Sequence, residues 1–213
     1  MSVQFPHFAI VILGGLLVLA AAGVPGCSEP ESEIEQIQEL EKAGDVDALA
    51  KRATEAEPDV GRQAVRSLGR LGARAEPALR QVMKQGKPTV RSEAALVYPR
   101  VTKRQEAQAP LSELSRRDPE PHVRAAAVTA LGHMRALESM DTILEALNDP
   151  KLVVRRRAAN AVTRIMGRAY ELYLNGPEEK RLQAIEGLRQ DWNRDKDIVR
   201  RYFERKAKRP RQP

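Results

Sequence analysis

Through residues 45–175, apolar residues recur at intervals that lay them on one face of a helix. The triplets Val60/Ala64/Leu68, Val90/Ala94/Tyr98, Val123/Ala127/Leu131 and Val154/Ala158/Val162 each occupy positions 0, +4 and +8. The four leading valines lie 30, 33 and 31 residues apart. That interval accommodates one helix, a turn and a second helix. Second helices are predicted around Leu79/Val82/Met83, Leu111/Leu114, Ile143/Leu144/Leu147 and Tyr173/Leu174. The two clearest copies, residues 118–127 and 149–158, both read D-P-x-x-x-V-R-x-x-A. Asp before Pro suits a helix start: the carboxylate can accept otherwise unpaired N–H groups, and Pro at the first position loses no bond. The small residue at +4 allows neighbouring helices to approach closely.

The flanks read as caps. Ile34, Ile37 and Leu40 predict an amphipathic helix over 31–42, and Val46, Leu49, Ala50 and Ala53 predict another over 45–54. Leu182, Ile185 and Leu188 predict a helix over 178–190. Ile198, Val199, Tyr202 and Phe203 predict a further one over 195–206, with residues 206–213 expected as a disordered basic tail. Composition agrees with an all-α chain, since Ala, Leu, Arg and Glu dominate and aromatics make up only 4%. Trp192, Tyr202 and Phe203 are expected to form a cap under the last repeat or, alternatively, a ligand platform.

The repeat residues quoted above resemble the short HEAT-like repeats of the HEAT-repeat family. The resemblance implies a right-handed α-solenoid of about four to five stacked antiparallel helix pairs, with the second helices lining the concave binding face. It also implies a structural role for Arg91, Arg124 and Arg155: each bridges to an Asp or a carbonyl of a neighbouring repeat. Asp118 and Asp149 are suitable partners for a planar guanidinium.

Charge divides the chain. Residues 28–57 hold 3 basic and 10 acidic groups, whereas residues 196–213 hold 8 basic and 2 acidic. The expected organisation is a signal peptide over 1–26, then a lipid-attachment cysteine, acidic spacer and first helix over 27–44. The repeat domain with its capping helices spans 45–205, and the tail follows. Residues 8–24 are an uncharged apolar run ending in small residues before an acidic stretch, as in an export signal. Val24-Pro25-Gly26-Cys27 resembles the lipobox of bacterial lipoproteins, in which the cysteine is acylated after cleavage before it. Cys27 is the only cysteine, so it has no internal disulfide partner. The resemblance implies a lipid-anchored protein of the bacterial cell envelope, facing the periplasm or exterior. An uncleaved membrane anchor and a plain secreted protein are the alternatives.

Catalytic chemistry is not expected. The repeat region offers His122 and His133 but no metal-ligand spacing, so neither a metal nor a cofactor is anticipated beyond covalent lipid on Cys27. Asp118, His122 and Ser139 can be grouped as a triad only on paper. Gly69-x-x-Gly72 reads as a helix end rather than a phosphate cradle. Short HEAT-like repeats also occur in lyases that attach bilin pigments, which keeps an enzyme-accessory role as a lesser alternative. The leading expectation is a scaffold that binds a protein partner. Arg62, Arg66, Arg70, Arg156 and Arg157 are candidates for a positive stripe toward acidic proteins, polyanions or lipid headgroups. The basic tail would add membrane affinity at roughly 1 kcal/mol per basic group. Nucleic acid is not an expected partner.

Overall fold

The computed structural model describes residues 30–208. The stretch expected as an export leader, Cys27 and the last five residues of the expected tail lie outside the described residues. Helices α1 (Pro30–Ala43), α3 (Pro58–Leu71), α5 (Pro88–Val97), α7 (Pro121–Met134) and α9 (Leu152–Met166) pack side by side in one layer. Helices α2 (Val46–Glu55), α4 (Glu76–Gln85), α6 (Arg104–Arg117) and α8 (Met140–Ala146) form the second layer. Each second-layer helix packs on the first-layer helix that follows it. The described residues contain no strand. This is an α-solenoid.

The core follows the 0, +4, +8 pattern. All twelve residues of the four triplets are buried, with Ala64, Ala94, Ala127 and Ala158 fully inaccessible at the +4 position. Helices at 8–10 Å separation leave little room beyond a methyl group at their closest point. Two glycines tighten this contact further. A Cβ on Gly69 would collide with Val97 Cγ1, and one on Gly132 would lie 2.6 Å from Ala161 Cβ. Gly69 therefore serves helix packing inside α3, while Gly72 ends that helix at φ +74°.

The helix starts differ in detail from expectation. At the two Asp-Pro sites the helices begin at Pro121 and Leu152, with Glu120 and Lys151 as N-caps that make no side-chain cap bond. Asp118 and Asp149 instead close short turns ahead of the helices. Their Oδ1 atoms accept the N–H groups of Glu120 at 2.9 Å and Lys151 at 2.8 Å. Asp45 does cap α2, accepting the Ala48 N–H at 2.9 Å.

The C-terminal end departs more. No helix forms around Tyr173/Leu174. Residues 167–177 run as a loop in which Leu172 is buried and Tyr173 takes a left-handed φ of 46°. The two helices predicted over 178–190 and 195–206 are one, α10 (Glu178–Lys208), roughly 46 Å long. It carries no Gly or Pro beyond Gly187. Its polar middle is held by Arg168, which donates to Asp191 at 2.7 Å. The helix also continues through Lys208, into the stretch expected to be disordered. Ile185, Leu188 and Trp192 join the core, but Leu182 points outward. Tyr202 and Phe203 do not join Trp192: they meet edge to face at 5.2 Å, with the Arg135 guanidinium 4.4 Å from the Phe203 ring centre.

Candidate functional site

In α5, α7 and α9 the arginine that follows the leading valine ties its repeat to the next loop. Arg91 donates from Nε and Nη2 to both carboxylate oxygens of Asp118, each at 2.8 Å. Arg124 grips Asp149 in the same way at 2.8 and 2.9 Å. The remaining nitrogen reaches back five residues: Arg91 Nη1 to the Gly86 carbonyl at 2.9 Å, and Arg124 Nη1 to that of Pro119 at 3.2 Å. Arg155 makes the same backward bond, to Pro150 O at 3.0 Å, but meets no acid ahead. It donates to the Leu174 carbonyl at 2.9 Å instead. The loop that replaces the missing helix thus completes the ladder with backbone.

A further rung, Arg181, is not anticipated by the repeat pattern. Arg181 is buried, donates to Asn148 Oδ1 at 2.8 Å, and reaches the Gly176 carbonyl at 3.1 Å. A signal for it does exist. Arg181 follows Gly176 by five residues, as Arg91 follows Gly86. Its helix lacks the D-P and Val markers that distinguish the other copies. The Arg91–Asp118 and Arg124–Asp149 rungs are bidentate and largely buried, and Arg155 and Arg181 are spent on backbone and amide oxygens, so the ladder holds repeats in register rather than offering charge to a ligand.

The second layer carries two open grooves. Between α2 and α4 lies one of roughly 620 Å³, lined largely by polar side chains such as Asp47, Lys51, Gln81 and Gln85. Between α4 and α6 lies another of roughly 440 Å³. Met83, Pro110, Leu114 and Pro119 give it an apolar lining, with Arg80, Lys84, Glu113 and Arg117 around them. Pro110 sits inside α6, where it has no N–H to give to the preceding turn. Behind this groove, the buried Tyr98 donates its hydroxyl to Glu76 Oε1, which also accepts from Arg80 at 2.7 Å. Burial, then the Glu76 hydrogen bond, push the Tyr98 phenol up to about 12 from an ordinary 10.0. The fold therefore favours neutral Tyr98. Its contribution is complete below about pH 10 and is lost as pH rises toward about 12. In an alkaline titration, Tyr98→Phe is expected to remove the ultraviolet transition centred near 12. An unchanged titration curve would mean that the phenol titrating near 12 is not Tyr98.

Against known proteins, a family model described as "HEAT repeats" matches residues 108–202, and one described as "PBS lyase HEAT-like repeat" matches residues 60–85. The chain carries HEAT-like repeats. Among solved structures, a designed armadillo repeat protein is similar at 20% identity, with 72% of this chain and 74% of that chain covered and a TM-score of 0.43. No curated protein matches.

The HEAT-like frame separates the arginines grouped as one stripe. Arg62, Arg66 and Arg70 stand on α3, and Arg156 and Arg157 on α9, with α5 and α7 between them. The α3 group is paired. Arg62 meets Asp59 at 2.5 Å, Arg66 meets Glu93 at 2.8 Å, and Arg70 is bidentate to Glu41 at 2.5 Å. The Arg70 hydrogen bond lowers the Glu41 pKa, against the opposing effect of burial. Neither Arg156 nor Arg157 has a carboxylate partner among the described residues. The structure thus yields two basic regions, one neutralised and one free.

Asp118, His122 and Ser139 do not hydrogen-bond to one another. Asp118 is engaged by Arg91, and Ser139 donates to Gln108 Oε1 at 2.9 Å. Among the described residues no group of three His, Cys, Asp or Glu is arranged to hold a metal ion. No described helix is long and apolar enough to cross a membrane.

Proposed function

We propose that this protein is a non-enzymatic scaffold, lipid-anchored through Cys27 in a bacterial cell envelope, that holds a protein partner on its second-layer face. It is expected to use no cofactor beyond the covalent lipid. The observation that carries the partner reading is the groove between α4 and α6. Met83, Leu114, Pro110 and Pro119 supply apolar contact, and the basic groups Arg80, Lys84 and Arg117 outnumber the acids Glu113 and Asp118 around it. Arg80 and Arg117 already share acids, Glu76 and Glu113, so Lys84 is the cation left for a ligand. The fitting occupant is an amphipathic segment of a partner protein with an acidic face, whose apolar side chains fill the floor.

The test is affinity capture of C-terminally tagged full-length protein from detergent-solubilised native membranes, with intact-mass analysis of the same material. A chain beginning at acylated Cys27 with a stoichiometric partner is expected. Leu114→Arg, which drives a charge into the floor, should lose that partner, and Arg62→Ala on the opposite layer should keep it. Retention in Leu114→Arg would move the interface off this groove. A mass starting at Met1 would replace lipidation by an uncleaved anchor.

A further inference from the structure

A smaller cleft on the other layer has a different chemistry. Between α7 and α9, Thr129 and His133 face Arg157, Asn160 and Arg164 around a cavity of roughly 50 Å³. That space holds a few water-sized groups, at about 10–15 Å³ each. No carboxylate lines it. Arg157 and Arg164 lie two turns apart on one face of α9, and both line the opening.

Comparison between repeats shows why these cations are free. Aligned on the leading valines, Arg70 on α3 and Arg164 on α9 hold the same position, as do Arg66 and Asn160. On α3 those arginines are closed by Glu41 and Glu93 from the neighbouring helices. On the α7 side of α9 the corresponding surface supplies Thr129 and His133 instead, and no acid follows Glu120 in α7. His133, Arg157, Asn160 and Arg164 thus line the cleft without an internal anion to satisfy the guanidinium pair, while the Thr129 hydroxyl donates to the Ala125 carbonyl at 2.7 Å. The positive field is felt locally: burial first, then Arg164 and Arg157, lower the pKa of His133.

We propose that this cleft binds a single phosphate group, with Arg157 and Arg164 gripping its oxygens and His133 and Asn160 supplying further hydrogen bonds. A tetrahedral dianion suits a small pocket lined by two planar, permanently charged donors. The group is either free phosphate or the phosphomonoester of a lipid headgroup, and both present the same oxygens. This site is independent of the groove on the second layer.

The test is isothermal titration of full-length protein in non-ionic detergent with inorganic phosphate, at ionic strength fixed with chloride. Saturable binding with a Kd between about 1 mM and 1 µM is expected from two or three charge-assisted hydrogen bonds. Arg157→Gln and Arg164→Gln should each weaken it about tenfold or more. Arg66→Gln, which removes an arginine already paired to Glu93, should leave it unchanged. Circular dichroism of each variant verifies that the helices persist. Soluble short-chain phosphatidic acid is the second probe. Tighter binding than inorganic phosphate, competed by inorganic phosphate, assigns the site to a headgroup, and the reverse order assigns it to free phosphate. Absence of saturable binding by both probes overturns the proposal, as does equal weakening in all three variants.

Discussion

Arg124→Ala is expected to destabilise the protein by about 3–5 kcal/mol, the cost of breaking a buried ion pair by removing one partner. The side chains of Arg124 and Asp149 are only 11% and 9% exposed, so water cannot replace the lost partner. Truncation strips Asp149 of two hydrogen bonds and its counter-charge, leaving the Lys151 N–H at 2.8 Å as its remaining donor. It also abandons the Asp118 carbonyl, to which Arg124 donates at 2.8 Å. Asp149→Ala should cost a similar amount for the mirrored reason. The double replacement Arg124→Met/Asp149→Leu should cost much less than the two single changes together, because no charge is then left buried. Arg66→Ala provides the contrast. Its bridge to Glu93 is half exposed on the arginine side and should be worth about 0–1 kcal/mol. Urea unfolding of the set measures all four values. If Arg124→Ala loses no more than Arg66→Ala, the ladder is not what holds neighbouring repeats together.

Gly132→Ala should destabilise by about 1–3 kcal/mol, although alanine is the better helix former by up to about 1 kcal/mol. The added Cβ would sit 2.6 Å from Ala161 Cβ and 2.8 Å from Ala161 Cα. A backbone atom cannot rotate away, so α7 and α9 must separate, and contacts around the fully buried Val162 and Leu131 loosen with them. Ala161→Gly should rescue only in part, since it removes the first clash and leaves the second. Gly187 is the matched control. It lies within α10, where an added methyl would have nothing within 4 Å, so Gly187→Ala should raise stability by about 0.5–1 kcal/mol. Thermal or urea unfolding reads both signs. A stabilised Gly132→Ala variant would mean that the two helices stand further apart than these distances require.

The sequence is legible where the physics is periodic. Each of the triplets led by Val60, Val90, Val123 and Val154 is buried, because side chains four apart on a helix share a face wherever that helix is placed. The region after Met166 is less legible. Tyr173 and Leu174 offer two adjacent apolar residues without a repeating period, and they lie in a loop. Apolar groups on either side of a polar stretch suggest two helices where there is only α10. That stretch is helical throughout, with Arg194 paired to Asp191 at 2.6 Å along it and Arg168 reaching it from the loop. The ion pairs are partly legible. Asp118 and Asp149 stand out as partners for a planar guanidinium, whereas Asn148 and Arg181 carry no comparable mark.

What the sequence by itself determined is the repeat: its length, its buried face and its recurring arginine, all set by local periodicity and composition. Only the tertiary structure decided which charges are satisfied. Arg70 and Arg164 hold one repeat position, yet the first is closed by Glu41 and the second opens onto the cleft with His133. The partners that make this difference lie about a repeat away along the chain. Whether a guanidinium meets a carboxylate depends on distances of a few ångströms between packed helices. The one-dimensional pattern specifies the face a side chain occupies, but not what stands opposite it.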